Sequence, residues 1–249
     1  MNIALILAGG SGKRMRGEVP KQFLNVDGKP IIIHTLLAFQ THPEIDIIAI
    51  VCINGWQKKL RKYAEMYGIT KLKWVIQGGE TVQESTRNGV FYLETVCDAN
   101  DIIVIHDAVR PLVETSVLSD VLSTCRQYGN AAAALPYNEQ IFIADNEIST
   151  TKYIPREALR RVVTPQAYRL GILASKYREA FKRKIGIYNS AYANTMMVEL
   201  GERLYLSAGS EKNIKLTTKE DIDIFRALLI VREAAETGNE REENGTVCD

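Results

Sequence analysis

The chain has 249 residues, with 31 Lys and Arg against 30 Asp and Glu, 46% hydrophobic residues and 24% charged ones. A formal charge of +1 gives no electrostatic reason to expect a nucleic-acid or membrane-surface binder, and no apolar run approaches the roughly 18 residues of a membrane span. Four scattered cysteines (Cys52, Cys97, Cys125 and Cys248), with no CxxC pair and no histidine at ligand spacing, argue against a disulfide frame or zinc site and read as buried thiols of a reducing cytoplasm.

The opening Met-Asn-Ile-Ala-Leu-Ile-Leu-Ala-Gly-Gly lacks a basic n-region and makes a poor signal peptide. Residues 2–7 instead start a series of short runs rich in β-branched residues, which continues at 47–52, 72–76, 102–106 and 131–135. Continuous apolar runs of that length suit parallel strands buried on both faces. Between them the spacing predicts amphipathic helices over 31–40, 57–66, 86–96 and 117–128. The alternation implies βαβ units, hence an α/β fold: a mostly parallel sheet flanked by helices.

The rhythm breaks at Pro136. Two alternating segments, 140–144 and 148–154, flank Asp145-Asn146-Glu147 and predict a hairpin. A lone two-stranded element is marginal in water; it packs on its own domain, or forms an arm that reaches a second subunit. The chain then returns to helices and strands and closes with a helix over 218–234. The polar, acidic, aromatic-free stretch 236–249 reads as a frayed tail. The expected organisation is one domain over 1–235, with an arm at about 137–156 and a flexible tail.

Chemistry concentrates after the first strand, in Leu7-Ala8-Gly9-Gly10-Ser11-Gly12-Lys13-Arg14-Met15-Arg16-Gly17-Glu18-Val19-Pro20-Lys21-Gln22-Phe23. Gly9, Gly10 and Gly12 allow backbone N–H groups to approach an anion. No Gly-Lys-Ser/Thr closes a P-loop, and Met15 stands where a dinucleotide fingerprint needs its third glycine. The distinguishing feature is cation density: Lys13, Arg14, Arg16 and Lys21 fall within nine residues. On a loop at the carboxyl end of a strand they suit a triphosphate; a solvated basic loop is the plainer alternative.

Leu7-Ala-Gly-Gly-Ser-Gly-Lys-Arg-Met followed by Pro20-Lys-Gln-Phe resembles the nucleotide-binding signature of the cytidylyltransferases that act on polyol phosphates, a group including methylerythritol-4-phosphate and ribitol-5-phosphate cytidylyltransferases. The likeness continues in order through Gly78-Gly79-Glu80…Ser85, His106-Asp-Ala-Val-Arg-Pro, Thr164-Pro-Gln and Asn213-Ile-Lys-Leu-Thr-Thr…Glu-Asp. Five ordered blocks over some two hundred residues are far more specific than any one of them. The resemblance implies a Rossmann-like fold of nucleotidyltransferase type, a β-arm exchanged in a homodimer, and a reaction of CTP with an alditol phosphate giving a CDP-alditol and pyrophosphate. The product would feed a surface glycopolymer such as teichoic acid or capsule, or else isoprenoid synthesis.

Carried onto this sequence, the resemblance makes Arg14 and Lys21 the pair that stabilises transition-state charge and Lys215 the lysine on the phosphates. Arg156 becomes the arginine that a partner's arm offers to the acceptor phosphate; without the resemblance Arg156 and Lys215 would pass for surface charges. Leu7, Ala8, Gly9, Gly10 and Gly12 fall to the nucleotide loop, and Gly78, Gly79, Glu80 and Ser85 to the loop around cytosine and ribose. Asp107 follows a buried strand; a carboxylate beside a triphosphate repels it unless a divalent cation lies between, so Asp107 reads as a nucleotide-binding Mg²⁺ ligand. An N-cap or an ion pair with Arg110 is the structural alternative. His106 reads as a structural strand-end residue.

Departures cluster on the acceptor side. Glu139 and Gln140 replace an Asp-Thr pair, Ala191 and Tyr192 replace Thr/Ser-Asp, and Val82 replaces an arginine in the base-side loop. A phenol in place of a carboxylate alters recognition of polyol hydroxyls. Two other readings compete. An NAD-dependent oxidoreductase needs an acidic residue after the second strand, where Ile53-Asn54-Gly55 stands. A non-catalytic nucleotide-binding relative would not need Arg14, Lys21, Asp107 and Lys215 together.

Overall fold

The computed structural model describes residues 1–10, 19–188 and 192–244, with the backbone alone for Glu233 and residues 235–244. In chain order the strands are β1 (Asn2–Ala8), β2 (Asn25–Val26), β3 (Lys29–Pro30), β4 (Ile47–Cys52), β5 (Leu72–Gln77), β6 (Ile102–Asp107), β7 (Asn130–Pro136), β8 (Ile141–Ile143), β9 (Lys152–Ile154), β10 (Arg160–Arg169) and β11 (Leu206–Ala208). The helices are α1 (Ile31–Thr41), α2 (Gln57–Met66), α3 (Val82–Glu94), α4 (Thr115–Tyr128), α5 (Leu170–Arg183), α6 (Ala193–Glu199) and α7 (Lys219–Asn244).

Seven strands form one sheet in the order β11-β7-β10-β6-β1-β4-β5. β1 is central and pairs in parallel with β4 and β6, and β10 alone runs antiparallel, wedged between β6 and β7. The strands' alternation sorts their side chains onto two faces. Ala4, Ile6 and Ala8 with Ile48 and Ile50 meet α1, α2 and α4, while Ile3 and Leu5 with Ala49 and Val51 meet α3, α5 and α6. A third cluster, Val26, Ile31, Val109, Leu112, Leu216, Phe225 and Leu229, seats α7 beside the carboxyl ends of the strands. The expected α/β class and mostly parallel sheet are what the chain forms.

Several boundaries differ from expectation. α3 begins at Val82, four residues before the expected 86, because the Thr81 hydroxyl accepts from Glu84 N–H and caps it. Ser85 therefore sits in the first helical turn and not in the preceding loop. The hairpin strands β8 and β9 are only three residues each, and the connection spans residues 144–151 in place of a tight Asp-Asn-Glu turn. α7 runs on to Asn244, beyond the expected end at 234, as a proline-free Glu- and Ala-rich run favours. Residues 245–249 lie outside the described ones. Cys52 and Cys125 are buried, and burial pushes their thiols up to about 12 and about 11. Cys97 is only half-buried, against expectation, and Cys248 lies outside the described residues.

Gly89, in α3, sets how closely that helix approaches the sheet: a Cβ there would lie 2.8 Å from Val51 Cγ2 and 2.9 Å from Leu5 Cδ1. Gly89→Val is expected to cost about 2 kcal/mol and to lower the thermal midpoint by roughly 4–8 °C; an unchanged midpoint would show that α3 does not seat on β1 and β4 in this way.

Candidate active site

A cleft of about 620 Å³ opens at the carboxyl ends of β1, β4, β5 and β6, where an open α/β sheet places its ligands. Leu7, Ala8, Gly9 and Gly10 at the end of β1 line it. So do Gly78, Gly79 and Glu80 after β5, Ser85 in α3, Asp107 at the end of β6, and the cations Lys21 and Lys215. The structure thus brings together residues from four of the five sequence blocks. Gly12 and Arg14 fall outside the described residues. Arg156 stands apart: it is exposed in a 3₁₀ turn beside the hairpin, donates from Nη1 to the Asn138 carbonyl at 2.9 Å, and does not line the cleft. Gln140 is exposed and also outside the cleft, whereas Val82 and Tyr192 line it; Ala191 is not among the described residues.

Close packing of loops shapes the nucleotide side. A Cβ on Gly9 would lie 2.9 Å from Ser85 Oγ, and one on Gly79 would lie 2.4 Å from Glu84 Cβ. Glycine at these positions lets the loop after β1 and the loop after β5 meet at the first turn of α3. Gly10, by contrast, has open space around it. Ser85 Oγ accepts from Gly79 N–H at 3.0 Å, and Glu84 Oε2 accepts from Glu80 N–H at 2.9 Å, so both side chains hold the base-side loop. Gln22, which sequence reading passed over, is buried and donates from Nε2 to the Ala8 carbonyl at 2.8 Å and the Gly10 carbonyl at 3.0 Å. It tethers the 3₁₀ turn Lys21–Phe23, and with it Lys21, to the glycine loop. Its place in Pro-Lys-Gln-Phe was the available signal.

Asp107 is 6% exposed. Its Oδ2 accepts from Arg110 Nε at 3.0 Å and meets Lys215 Nζ at 3.1 Å, while Oδ1 accepts no hydrogen bond from a described residue. Burial pushes this carboxyl up, but Lys215 and Arg110 outweigh burial and hold it below the usual carboxylate range. The converse holds for Lys215: burial lowers it, and Asp107 with the Tyr192 hydroxyl more than restores the charge, so its ammonium titrates above the ordinary lysine value. The ion pair with Arg110, weighed above as an alternative, is therefore present, and it leaves one carboxylate oxygen for the cleft.

Arg110 and two residues that the sequence blocks contain without a role, Asn213 and Thr164, lock this corner. Arg110 Nη1 donates to the Asn213 carbonyl at 2.7 Å, and Asn213 Nδ2 donates to the Thr164 carbonyl at 2.7 Å. Thr164 Oγ1 in turn accepts from Asp107 N–H at 3.3 Å. Three of the sequence blocks thus meet as one hydrogen-bonded unit. His106 is fully buried, donates from Nε2 to the Arg110 carbonyl at 3.0 Å, and finds no partner for Nδ1 among the described residues. Its burial at the end of β6 fits the structural strand-end place expected of it. Among the described residues no group of three or more His, Cys, Asp or Glu side chains is placed to hold a metal. No described helix is long and apolar enough to cross a membrane.

The model of the 2-C-methyl-D-erythritol 4-phosphate cytidylyltransferase (IspD) family matches residues 2–233. The chain belongs to that family. It is a cytidylyltransferase, an enzyme of the nucleotidyltransferase class. A ribitol-5-phosphate cytidylyltransferase from Lacticaseibacillus paracasei is 54% identical over 233 residues, covering 94% of this chain and 100% of the relative. A 2-C-methyl-D-erythritol 4-phosphate cytidylyltransferase from Syntrophus aciditrophicus is 34% identical over 230 residues, covering 91% and 95%. The solved structure of 4-diphosphocytidyl-2C-methyl-D-erythritol synthase from Anaerococcus prevotii superposes with a TM-score of 0.76 at 22% identity, covering 92% of this chain and 97% of that one. At that identity the likeness is one of fold.

Burial lowers the His106 pKa to about 4 against the opposing hydrogen bond to Arg110. Because the unfolded ring titrates near 6.5, the stability it contributes is complete above that pH and is lost as pH falls toward about 4. An NMR titration is expected to show the His106 ring neutral at pH 5; a midpoint near 6.5 would mean that the ring is not sealed beneath the site.

Proposed function

We propose that this cytidylyltransferase transfers CMP from CTP to ribitol 5-phosphate, giving CDP-ribitol and pyrophosphate in the cytoplasm. The observation that carries the acceptor assignment is the 54% identity, over its whole length, to a protein named for that reaction; the relatives named for methylerythritol phosphate stand lower, at 34% for the example above. Methylerythritol 4-phosphate is the second reading, favoured by the name of the family model.

The chemistry asks little of a general base. A phosphate monoester has a second pKa of about 6 and is mostly dianionic at neutral pH. Its oxygen bonds to the α-phosphorus of CTP, the bond from that phosphorus to the bridging oxygen breaks, and pyrophosphate leaves with the electron pair. The protein's task is alignment and charge neutralisation. In this reading Gly9, Gly10 and Gly12 approach the phosphates through their backbone, and Arg14, Lys21 and Lys215 neutralise charge that shifts toward the leaving group. Gly78, Gly79, Glu80 and Ser85 frame the base and ribose.

Asp107 would hold a Mg²⁺ ion: one carboxylate is enough for that ion in a phosphate-binding site, and Oδ1 is not engaged by a described residue. When bound, the ion would screen the triphosphate and stabilise its developing charge. Arg110 and Lys215 hold the carboxylate ionised and aimed from the floor of the cleft.

We also assign Arg156 to the site of a second copy. Phe142, Ile143, Ile148 and Tyr153 on the hairpin are 49–95% exposed, and a short isolated two-stranded sheet has little stability of its own. A homodimer joined through residues 137–156 would cover these side chains and bring Arg156 to the partner's acceptor phosphate.

Pyrophosphate release measured with each of four nucleoside triphosphates and with ribitol 5-phosphate, methylerythritol 4-phosphate and glycerol 3-phosphate is expected to require Mg²⁺, to prefer CTP, and to be fastest with ribitol 5-phosphate. Lys21→Met is expected to lower kcat/KM by on the order of 10²–10³. Equal use of ATP, GTP and UTP would refute the base assignment, and faster turnover of methylerythritol 4-phosphate would move the enzyme to the second reading. Sedimentation is expected to show a dimer at working concentration; a monomer of full activity would remove Arg156 from the reaction.

A further inference from the structure

Tyr192 occupies a position where the family resemblance led us to expect an aspartate, and its surroundings give the phenol a defined task. Its backbone is anchored three ways. The Tyr192 carbonyl accepts from Gln83 Nε2 at 3.0 Å, from Thr195 Oγ1 at 2.9 Å and from Met196 N–H at 3.3 Å. Gln83 is itself buried and fully engaged: Nε2 also donates to the Gly186 carbonyl at 2.9 Å, and Oε1 accepts from Tyr177 at 2.9 Å. This clamp ties the first turn of α3, on the base side of the cleft, to the start of α6.

From that anchored backbone the side chain of Tyr192 reaches across to Lys215. The phenol oxygen accepts from Lys215 Nζ at 3.0 Å, and Nζ lies 5.1 Å from the ring centroid. An ammonium has three N–H donors. Asp107 Oδ2, at 3.1 Å, and the phenol oxygen take two of them, which leaves the third for an oxygen of a bound substrate. The phenol achieves this without adding charge. Among the described residues Lys215 and Arg110 face a single carboxylate, Asp107, so these three groups together keep one net positive charge. An aspartate at 192 would cancel it.

We infer that Tyr192 is a positioning residue for Lys215: its hydroxyl, held in place through Gln83, fixes the direction in which the ammonium presents its remaining proton to substrate phosphate. This rests on the cytidylyl-transfer reading above. The test is a double-mutant cycle of Tyr192→Phe and Lys215→Met, with kcat/KM as the readout and thermal midpoints as the folding control. Tyr192→Phe is expected to lower kcat/KM roughly ten-fold, and Lys215→Met by on the order of 10²–10³. If Tyr192 acts through Lys215, the double variant falls no further than Lys215→Met alone. Losses that multiply would overturn the proposal, because a structural role or a direct substrate contact persists without the lysine. Crystal structures of the parent and Tyr192→Phe separate this failure from failure of the reaction itself. Displacement of Nζ in Tyr192→Phe supports the positioning role whatever the substrate, and an unmoved Lys215 overturns it even in an active cytidylyltransferase.

Discussion

The buried carboxylate of Asp107 is the interaction on which the site is built. It stands at the end of a strand sealed on both faces, and two cations, one from the next turn of the chain and one from the segment before α7, converge on one of its oxygens. Breaking such a pair by removing one partner strands a charge out of water, at a typical cost of about 3–5 kcal/mol. Arg110 and Lys215 therefore hold the loop after β6 and the segment before α7 against each other as well as setting the charge of the cleft. Asn213 and Thr164 extend the unit to β10, so a strand with no side chain lining the cleft still determines where the carboxylate lies.

The opposite wall is governed by sterics instead of charge. Gly9 and Gly79 are required because two loops and a helix start share one small volume. The glycines carry two separate constraints that look identical in the sequence. One is loop-on-loop contact at Gly9, and the other is open space beside the cleft at Gly10. The hydrogen bonds of Gln22 connect this wall to the turn that carries Lys21, so movement of the glycine loop and of that cation would be coupled. A site held by rigid walls suits a reaction whose barrier is lowered by alignment and preorganised charge.

Much of the core was legible because its pattern is local. The strands at 2–7, 47–52, 72–76, 102–106 and 131–135 appear with boundaries shifted by one residue at most; the runs at 2–7, 47–52 and 102–106 are covered on both faces, so they stay apolar almost throughout, while 72–76, at the sheet edge, is marked by its β-branched and aromatic residues. Other signals were present and unread. Asp27-Gly28 turns β2 into β3 with positive φ at both residues, and Thr81-x-x-Glu84 announces the start of α3. β10 gave no such signal. Thr164 and Gln166 are buried polar residues whose partners include Asp107, Asn213 and Asn194 from elsewhere in the chain, so its polarity reads as a loop until the tertiary contacts are known.

The sequence by itself determined the α/β class, the family, and most of the residues that meet at the cleft, because hydrophobic periodicity and ordered motifs are written along the chain. Only the tertiary structure decided the strand order, the antiparallel insertion of β10, the arrival of Lys215 on the Asp107 oxygen that Arg110 holds, and the link from Gln83 through Tyr192 to Lys215. Those depend on distances between residues tens to more than a hundred positions apart, and such distances follow from how faces pack in three dimensions, which no local pattern encodes.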